Sequence, residues 1–168
     1  RSMSPQRELD DLVISENNYF PALEAAGDAL RAEIETVGPF VESTLARLLD
    51  ARFGIRVEHS ARPESSSGHY PPGQHHYDPE ARSIWFQNTT TAASRRFQLA
   101  RLYGRLAAED VLERALETPQ LTTPAARRLG YRAFSSYLAG AMVFPYDTFL
   151  AGAESSRYDL EALRQQFG

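Results

Sequence analysis

The sequence predicts an α+β fold, mainly helical with a small antiparallel β-sheet in its middle third. Three observations carry this expectation. Apolar residues recur three or four apart from Leu23 to Ile34, from Phe40 to Leu49 and again from Phe97 to Val143, the period of a helix with one buried face. Between these runs lie short segments in which apolar and polar residues alternate, the period of a strand. Gly38-Pro39, Asp78-Pro79, Thr118-Pro119 and Thr123-Pro124 punctuate the chain where elements should stop or start. The order of helices, a small sheet, then helices is an α+β plan.

Residues 1–18 are polar and acidic, with Leu9, Leu12, Val13 and Ile14 as apolar anchors, and read as a linker or a first short helix. Arg1-Ser2-Met3 reads as a tag remnant. Residues 19–168 read as a single domain. Its first helix runs from Pro21, with Leu23, Ala26, Leu30 and Ile34 on one face. Gly38-Pro39 breaks it, and Pro39 suits the first turn of a second helix that reaches Phe53-Gly54. Gly54-Ile55-Arg56-Val57-Glu58 alternates as a strand, Ser60 to Gln74 is a Ser/Gly/Pro-rich loop, and His75 to Asp78 starts a second strand. Asp78-Pro79-Glu80-Ala81 is a turn, with proline at its second position, and Ser83 to Gln87 is a third strand. Thr89, Thr90 and Thr91 are N-cap candidates for one long helix to about Leu116. Thr122 or Thr123 caps the next helix, which runs to Pro145 and is nearly all apolar from Tyr137 to Phe144. Two short amphipathic pieces, Tyr146 to Ala153 and Tyr158 to Phe167, close the sequence.

Composition narrows the chemistry. The 168 residues suit one domain, and 42% hydrophobic residues suffice for a core. The absence of cysteine removes disulfides, thiolate zinc sites and cysteine nucleophiles, and agrees with a reducing, cytoplasmic setting. All 18 basic residues are arginine, so no lysine is available as a Schiff base or general base. The net charge of −4 speaks against this segment gripping nucleic acid by itself. No apolar run approaches the roughly 20 residues that span a bilayer.

One stretch carries the functional argument: Arg96, Leu99, Ala100, Arg101, Leu102, Gly104 and Arg105, on the helix that follows the sheet. It resembles the active-site helix of the ImmA/IrrE-like metallopeptidase domains, whose motif runs R-x-x-L-A-H-E-x-G-H. In that motif two histidines on one helix face bind zinc and the glutamate between them activates water. Arg96, Leu99, Ala100 and Gly104 keep the frame, while Arg101 and Arg105 take the histidine positions and Leu102 the glutamate position. The family's third ligand is a carboxylate on the next helix. Its place falls at or beside Arg132, and no position from Gly130 to Tyr137 holds a carboxylate. A guanidinium has no free lone pair and stays cationic, so it repels a metal and suits a phosphate or carboxylate.

The C-terminal third is similar to one subgroup. Pro145, Tyr146, Phe149, Leu150, Ala153, Glu154, Arg157, Tyr158, Asp159 and Glu161 fit the pattern P-Y-x-x-F-L-x-A-A-E-x-x-R-Y-D-x-E, with Gly152 in place of its first alanine. That pattern belongs to the short-chain fatty acid regulators of the PrpR/RamB type, in which an XRE-class helix-turn-helix precedes an ImmA/IrrE-like domain and a further C-terminal region follows. The resemblance covers about Tyr77 to Gly168 well and the first half in outline. It implies a pseudo-metallopeptidase fold used as the ligand-sensing domain of a bacterial transcription regulator of propionate, acetate and glyoxylate metabolism. The effector it implies is an acyl-CoA or similar short-chain anionic metabolite, with no other cofactor. DNA contact would run through a helix-turn-helix absent from this sequence, and the protein is expected to be a homodimer without a membrane partner.

The ligand-binding residues expected on this basis are Arg101, Arg105 and Arg132 for the anion, and Tyr103, Tyr137 and Tyr146 for the apolar or ring portion. No catalytic and no metal-binding residue is expected. His59, His69, His75 and His76 cluster around the loop without ligand spacing and read as polar loop residues. Ser135-Ser136 has no histidine or lysine in local reach to activate it. Two other readings stay open at this point: a degenerate peptidase fold acting only as a dimerisation or partner scaffold, and a metallopeptidase with a non-standard site.

Overall fold

A computed structural model describes residues 3–60 and 74–144. Ser4 caps the first helix by accepting from the Arg7 amide, so residues expected to be linker or helix form α1 (Pro5–Ser15). Proline at the first turn opens α2 (Pro21–Glu35), and α3 (Glu42–Phe53) ends on Gly54, whose φ of 67° is the left-handed conformation that glycine adopts without strain. Pro39 lies ahead of α3 rather than in its first turn, because Val41 donates back to the Pro39 carbonyl and only then caps the helix.

Three strands follow: β1 (Arg56–Ser60), β2 (His75–Asp78) and β3 (Ser83–Gln87). Their order is β1-β3-β2. β2 and β3 form the expected antiparallel pair, but β1 runs parallel to β3, with Val57 opposite Ile84 and His59 opposite Phe86. The sheet is therefore mixed, not wholly antiparallel. The length of chain between β1 and β3 is what permits this, since a parallel pair needs a crossover of roughly a dozen residues or more. A short hairpin turn, in which Asp78 accepts from the Glu80 and Ala81 amides, then folds β3 back between the other two strands.

The long helix expected from Thr91 to Leu116 is two helices, α4 (Ala92–Ala107) and α5 (Glu109–Leu116). At Ala108 the backbone leaves helical geometry (φ −124°, ψ 36°), and its carbonyl accepts from both Val111 and Leu112 to start the next turn. The bend turns Leu112 fully into the core. No glycine or proline marks this break. Thr123 caps α6 (Pro124–Val143) by accepting from the Ala126 amide. The two amphipathic pieces expected after Pro145 lie outside the described residues.

α6 is the axis of the fold and packs against α1, α2, α4 and α5. Phe134, Tyr137, Leu138 and Met142 on it are completely buried. Two polar fastenings hold it at its ends. The buried carboxylate of Glu8 on α1 accepts from the Thr122 amide at 2.7 Å and the Thr122 hydroxyl at 2.8 Å, just ahead of α6. At the other end Arg31 of α2 donates to the Met142 carbonyl at 2.8 Å, placing a cation where the helix dipole is negative, while its guanidinium stacks 4.2 Å from the Phe40 ring centre.

α2 and α6 touch at Gly27 and Ala141, where a Cβ on Gly27 would sit 2.5 Å from the Ala141 Cβ and 3.2 Å from its carbonyl carbon. α4 and α6 approach at Gly104, but there a Cβ would meet Leu138 Cδ2 at 2.9 Å, the end of a flexible side chain. Gly27→Ala is therefore expected to destabilise by about 1–3 kcal/mol despite alanine's better helix propensity, and Gly104→Ala by clearly less. Denaturant unfolding of both variants checks this; a Gly27→Ala protein as stable as the parent would contradict the close contact.

Candidate functional site

α4 presents Gln98, Arg101, Leu102 and Arg105 along one stripe, spaced as neighbours on a helix face. Opposite it stand His75, His76 and Tyr77 of β2 and Ile84 of β3. Between them lies a hollow of about 320 Å³. Leu102 and Ile84 give it an apolar part, and its walls carry the two guanidiniums and the His75 ring.

Both arginines are held in place by α6. Arg101 donates from Nε to the Ser136 hydroxyl at 3.1 Å and from Nη2 to the Arg132 carbonyl at 3.0 Å. Arg105 donates from Nε to the Tyr131 hydroxyl at 3.2 Å, and its guanidinium lies 5.4 Å from the Tyr131 ring centre and 5.7 Å from that of Tyr77. Among the described residues, these contacts leave the Nη1 group of Arg101 and both Nη groups of Arg105 without an acceptor.

Among the described residues no carboxylate lies within ion-pair distance of either guanidinium. Arg95, near the start of α4, shows the contrast, since its Nε sits 2.9 and 3.0 Å from the two Glu42 oxygens. Burial, and then the charges of Arg105 and Arg132, push Arg101 down to about 10. It still carries its charge at neutral pH, so the repulsion is borne by the folded protein. Burial also lowers His75, followed by the Arg101 charge and by His76, which favours a neutral ring.

The six expected ligand residues fall into four groups. Arg101 and Arg105 line the hollow. The Arg132 side chain is exposed and does not line it; Arg132 takes part through its carbonyl and through its charge on Arg101. Tyr103 and Tyr137 are turned away from the hollow into the core. Tyr103 is two positions from both arginines, hence on the opposite side of α4, where its hydroxyl accepts from Arg52 at 2.6 Å and lies 3.4 Å from Glu33. Tyr137 donates to Glu24 at 2.6 Å, accepts from the Phe20 amide at 3.2 Å and packs edge-on against the Phe20 ring. Tyr146 lies outside the described residues. Among the described residues the tyrosine that lines the hollow is Tyr77, with Tyr131 behind Arg105, and His75 and His76 belong to one wall. The signals for these were the period-two alternation of His75 and Tyr77 and the one-turn spacing of Arg132 and Ser136.

The fold and the site together define a helical α+β domain with a helix-borne charged hollow against a small sheet. The chain belongs to the IrrE N-terminal-like domain family, whose profile matches residues 50–168. It is similar to the HTH-type transcriptional regulator PrpR of Mycobacterium tuberculosis, at 26% identity over 98% of this chain and 32% of that protein. It is similar also to the propionyl-CoA carboxylase regulator of Cereibacter sphaeroides, at 27% identity over 98% of this chain and 33% of that protein. A solved structure described as a Mycobacterium tuberculosis transcriptional regulator matches with a TM-score of 0.74 at 25% identity, covering 99% of this chain and 48% of that one. The chain thus spans about a third of the length of these curated relatives. Among the described residues no helix is long and apolar enough to cross a membrane, and no group of three or more His, Asp or Glu residues is placed to hold a metal ion.

Arg101→Met removes the buried charge, and the two groups it releases, Ser136 Oγ and the Arg132 carbonyl one turn earlier, can then bond each other. The variant is expected to be more stable than the parent by about 1 kcal/mol in ligand-free, low-salt buffer. Thermal unfolding reads this directly, and a variant that melts lower would mean that Arg101 contributes net stability.

Proposed function

We propose that this chain is the ligand-sensing domain of a bacterial transcription regulator of short-chain fatty acid metabolism, and that its hollow receives an anionic metabolite, an acyl-CoA first among the candidates. The observation that carries the reading is the Arg101–Arg105 pair: two guanidiniums fixed by α6, facing a hollow, with no carboxylate partner among the described residues. Charge arranged in that way destabilises the empty fold and is offset by a bound anion. The names of the relatives, regulators of the HTH type and of propionyl-CoA carboxylase, support the regulatory role and the ligand class. At about 320 Å³ the hollow is at the small end of ligand sites, roughly 300–1,000 Å³, and suits one charged end of such a ligand. Binding acts by favouring one arrangement of the helices around α6 over another, and so biases a homodimer or an attached helix-turn-helix.

We infer no peptidase activity. The residues at the zinc positions of the related peptidase motif do not fit a zinc ion: Arg101 and Arg105 offer no lone pair, and Leu102 stands where a water-activating glutamate is needed. Stoichiometric zinc in protein purified without chelators would overturn this inference.

Thermal unfolding with CoA, acetyl-CoA and propionyl-CoA tests the sensing role. A ligand that binds only the folded state, at about 100 times its Kd, adds about 2.7 kcal/mol, a rise of roughly 5–10 °C for a domain of this size. The rise is expected with at least one of them and should vanish in the Arg101→Ala plus Arg105→Ala protein. No rise with any of the three would favour a scaffold that pairs with a second copy or a partner protein.

A further inference from the structure

The two arginines leave one wall of the hollow unaccounted for. β2 carries His75 into it, and the sheet fixes how that ring is presented. His59, Phe86 and His75 are paired across the three strands in one row. The Phe86 ring lies 5.9 Å from His59 and 6.3 Å from His75, so His75 rests against an aromatic plate on one side and faces the α4 stripe on the other. The charged and titratable groups around it are cationic or neutral. α4 contributes Arg101 and Arg105; β2 contributes His76 and Tyr77; α6 contributes Tyr131 behind Arg105. β1 contributes His59 beyond the Phe86 plate, where Glu42 of α3 lies 3.6 Å from His59 and is bound by Arg95. The Asp78 carboxylate is turned into its own hairpin, and Glu58, with Arg56 at 3.6 Å, belongs to the opposite face of the sheet. No described carboxylate therefore faces His75 from within the hollow.

Resting on the anion-site reading above, we propose that His75 is the third anion-binding group of the hollow, neutral when it is empty and protonated when it is filled, so that the site selects a doubly charged group of the phosphoryl or sulfate type over a monocarboxylate. Burial, and after it the repulsion of Arg101, resists a positive charge on His75 in an empty hollow that already holds two guanidiniums. A dianion placed between them cancels that repulsion and can accept a hydrogen bond from the protonated ring. The imidazole takes one proton from solvent and turns its ring nitrogen into a further donor. A dianion balances both guanidiniums and accepts a hydrogen bond from the imidazolium without net repulsion; a monocarboxylate leaves one guanidinium uncompensated. The direction of linkage follows from the rise of the His75 pKa on filling. The gain in affinity is complete below the empty-state value and is lost as pH rises through the filled-state value.

Sulfate and propionate are suitable probes, because neither changes charge between about pH 6 and pH 8, the range in which histidine titrates. Titrations are run on the whole chain at constant ionic strength and read by NMR, including the histidine ring resonances. Sulfate is expected to bind roughly five- to tenfold tighter at about pH 6 than at about pH 8, and to move the His75 ring signals toward the imidazolium position at fixed pH. Propionate affinity is expected to change less than about twofold over that range. In His75→Gln, sulfate affinity at the lower pH should fall to that of the parent at the higher pH. Sulfate binding that depends on Arg101 and Arg105 but not on pH, or that keeps its pH dependence in His75→Gln and loses it in His76→Gln, overturns this proposal and leaves the anion site standing. No arginine-dependent binding of sulfate at either pH overturns both.

Discussion

The rest of the molecule depends on how closely α6 is embraced. Its last three turns are almost completely buried, and α2 reaches it at a glycine–alanine contact with no room for one additional methyl group. Small residues at that crossing allow the helix backbones to approach, and the approach fixes the height of α6 relative to everything around it. The fastenings at its ends, Glu8 before its start and Arg31 at its last carbonyls, remove what freedom to slide remains. A rigid axis is the precondition for the site, because α6 supplies the Ser136 hydroxyl, the Arg132 carbonyl and the Tyr131 hydroxyl that aim the two arginines of α4.

The charge pattern on α4 divides along its length. Its first turn is compensated, with Arg95 bound to Glu42. Further along, Arg101 and Arg105 are oriented by neutral oxygens and stacked rings instead of carboxylates. Neutral acceptors hold a guanidinium without neutralising it. The difference separates a structural ion pair from the arrangement proposed to bind an anion: the first is compensated within the fold, and the second is positioned with its charge left uncompensated among the described residues. Arg52, bridging Glu33 and Tyr103 on the opposite side of α4, is again of the structural kind.

Much of the architecture was legible in the sequence because period and punctuation agreed. Ser4, Thr91 and Thr123 cap helices as their side-chain chemistry demands, and the three strands fall where alternation placed them. Three features were not legible. The break at Ala108 has no local breaker and arises from the burial of Leu112. The parallel pairing of β1 is a matter of topology, which alternation does not encode. The choice of tyrosines failed for a geometric reason: proximity in sequence to Arg101 and Arg105 placed Tyr103 on the far side of the helix. Tyr77 and His75 reach the hollow from β2, and Tyr131 holds Arg105 from α6, so no spacing within α4 identifies them.

The strand order has a further consequence. β3 is hydrogen-bonded on both sides, whereas β2, which carries His75, His76 and Tyr77, has one bonded neighbour among the described strands. The hollow thus has one wall built into the core and another hung on a four-residue ladder at the sheet edge. Edge ladders exchange their amide protons through local opening far more readily than the elements they hang on. The helical wall is thus expected to protect its amides more than the sheet wall, so exchange rates along β2 would report on the rim of the site rather than on its core.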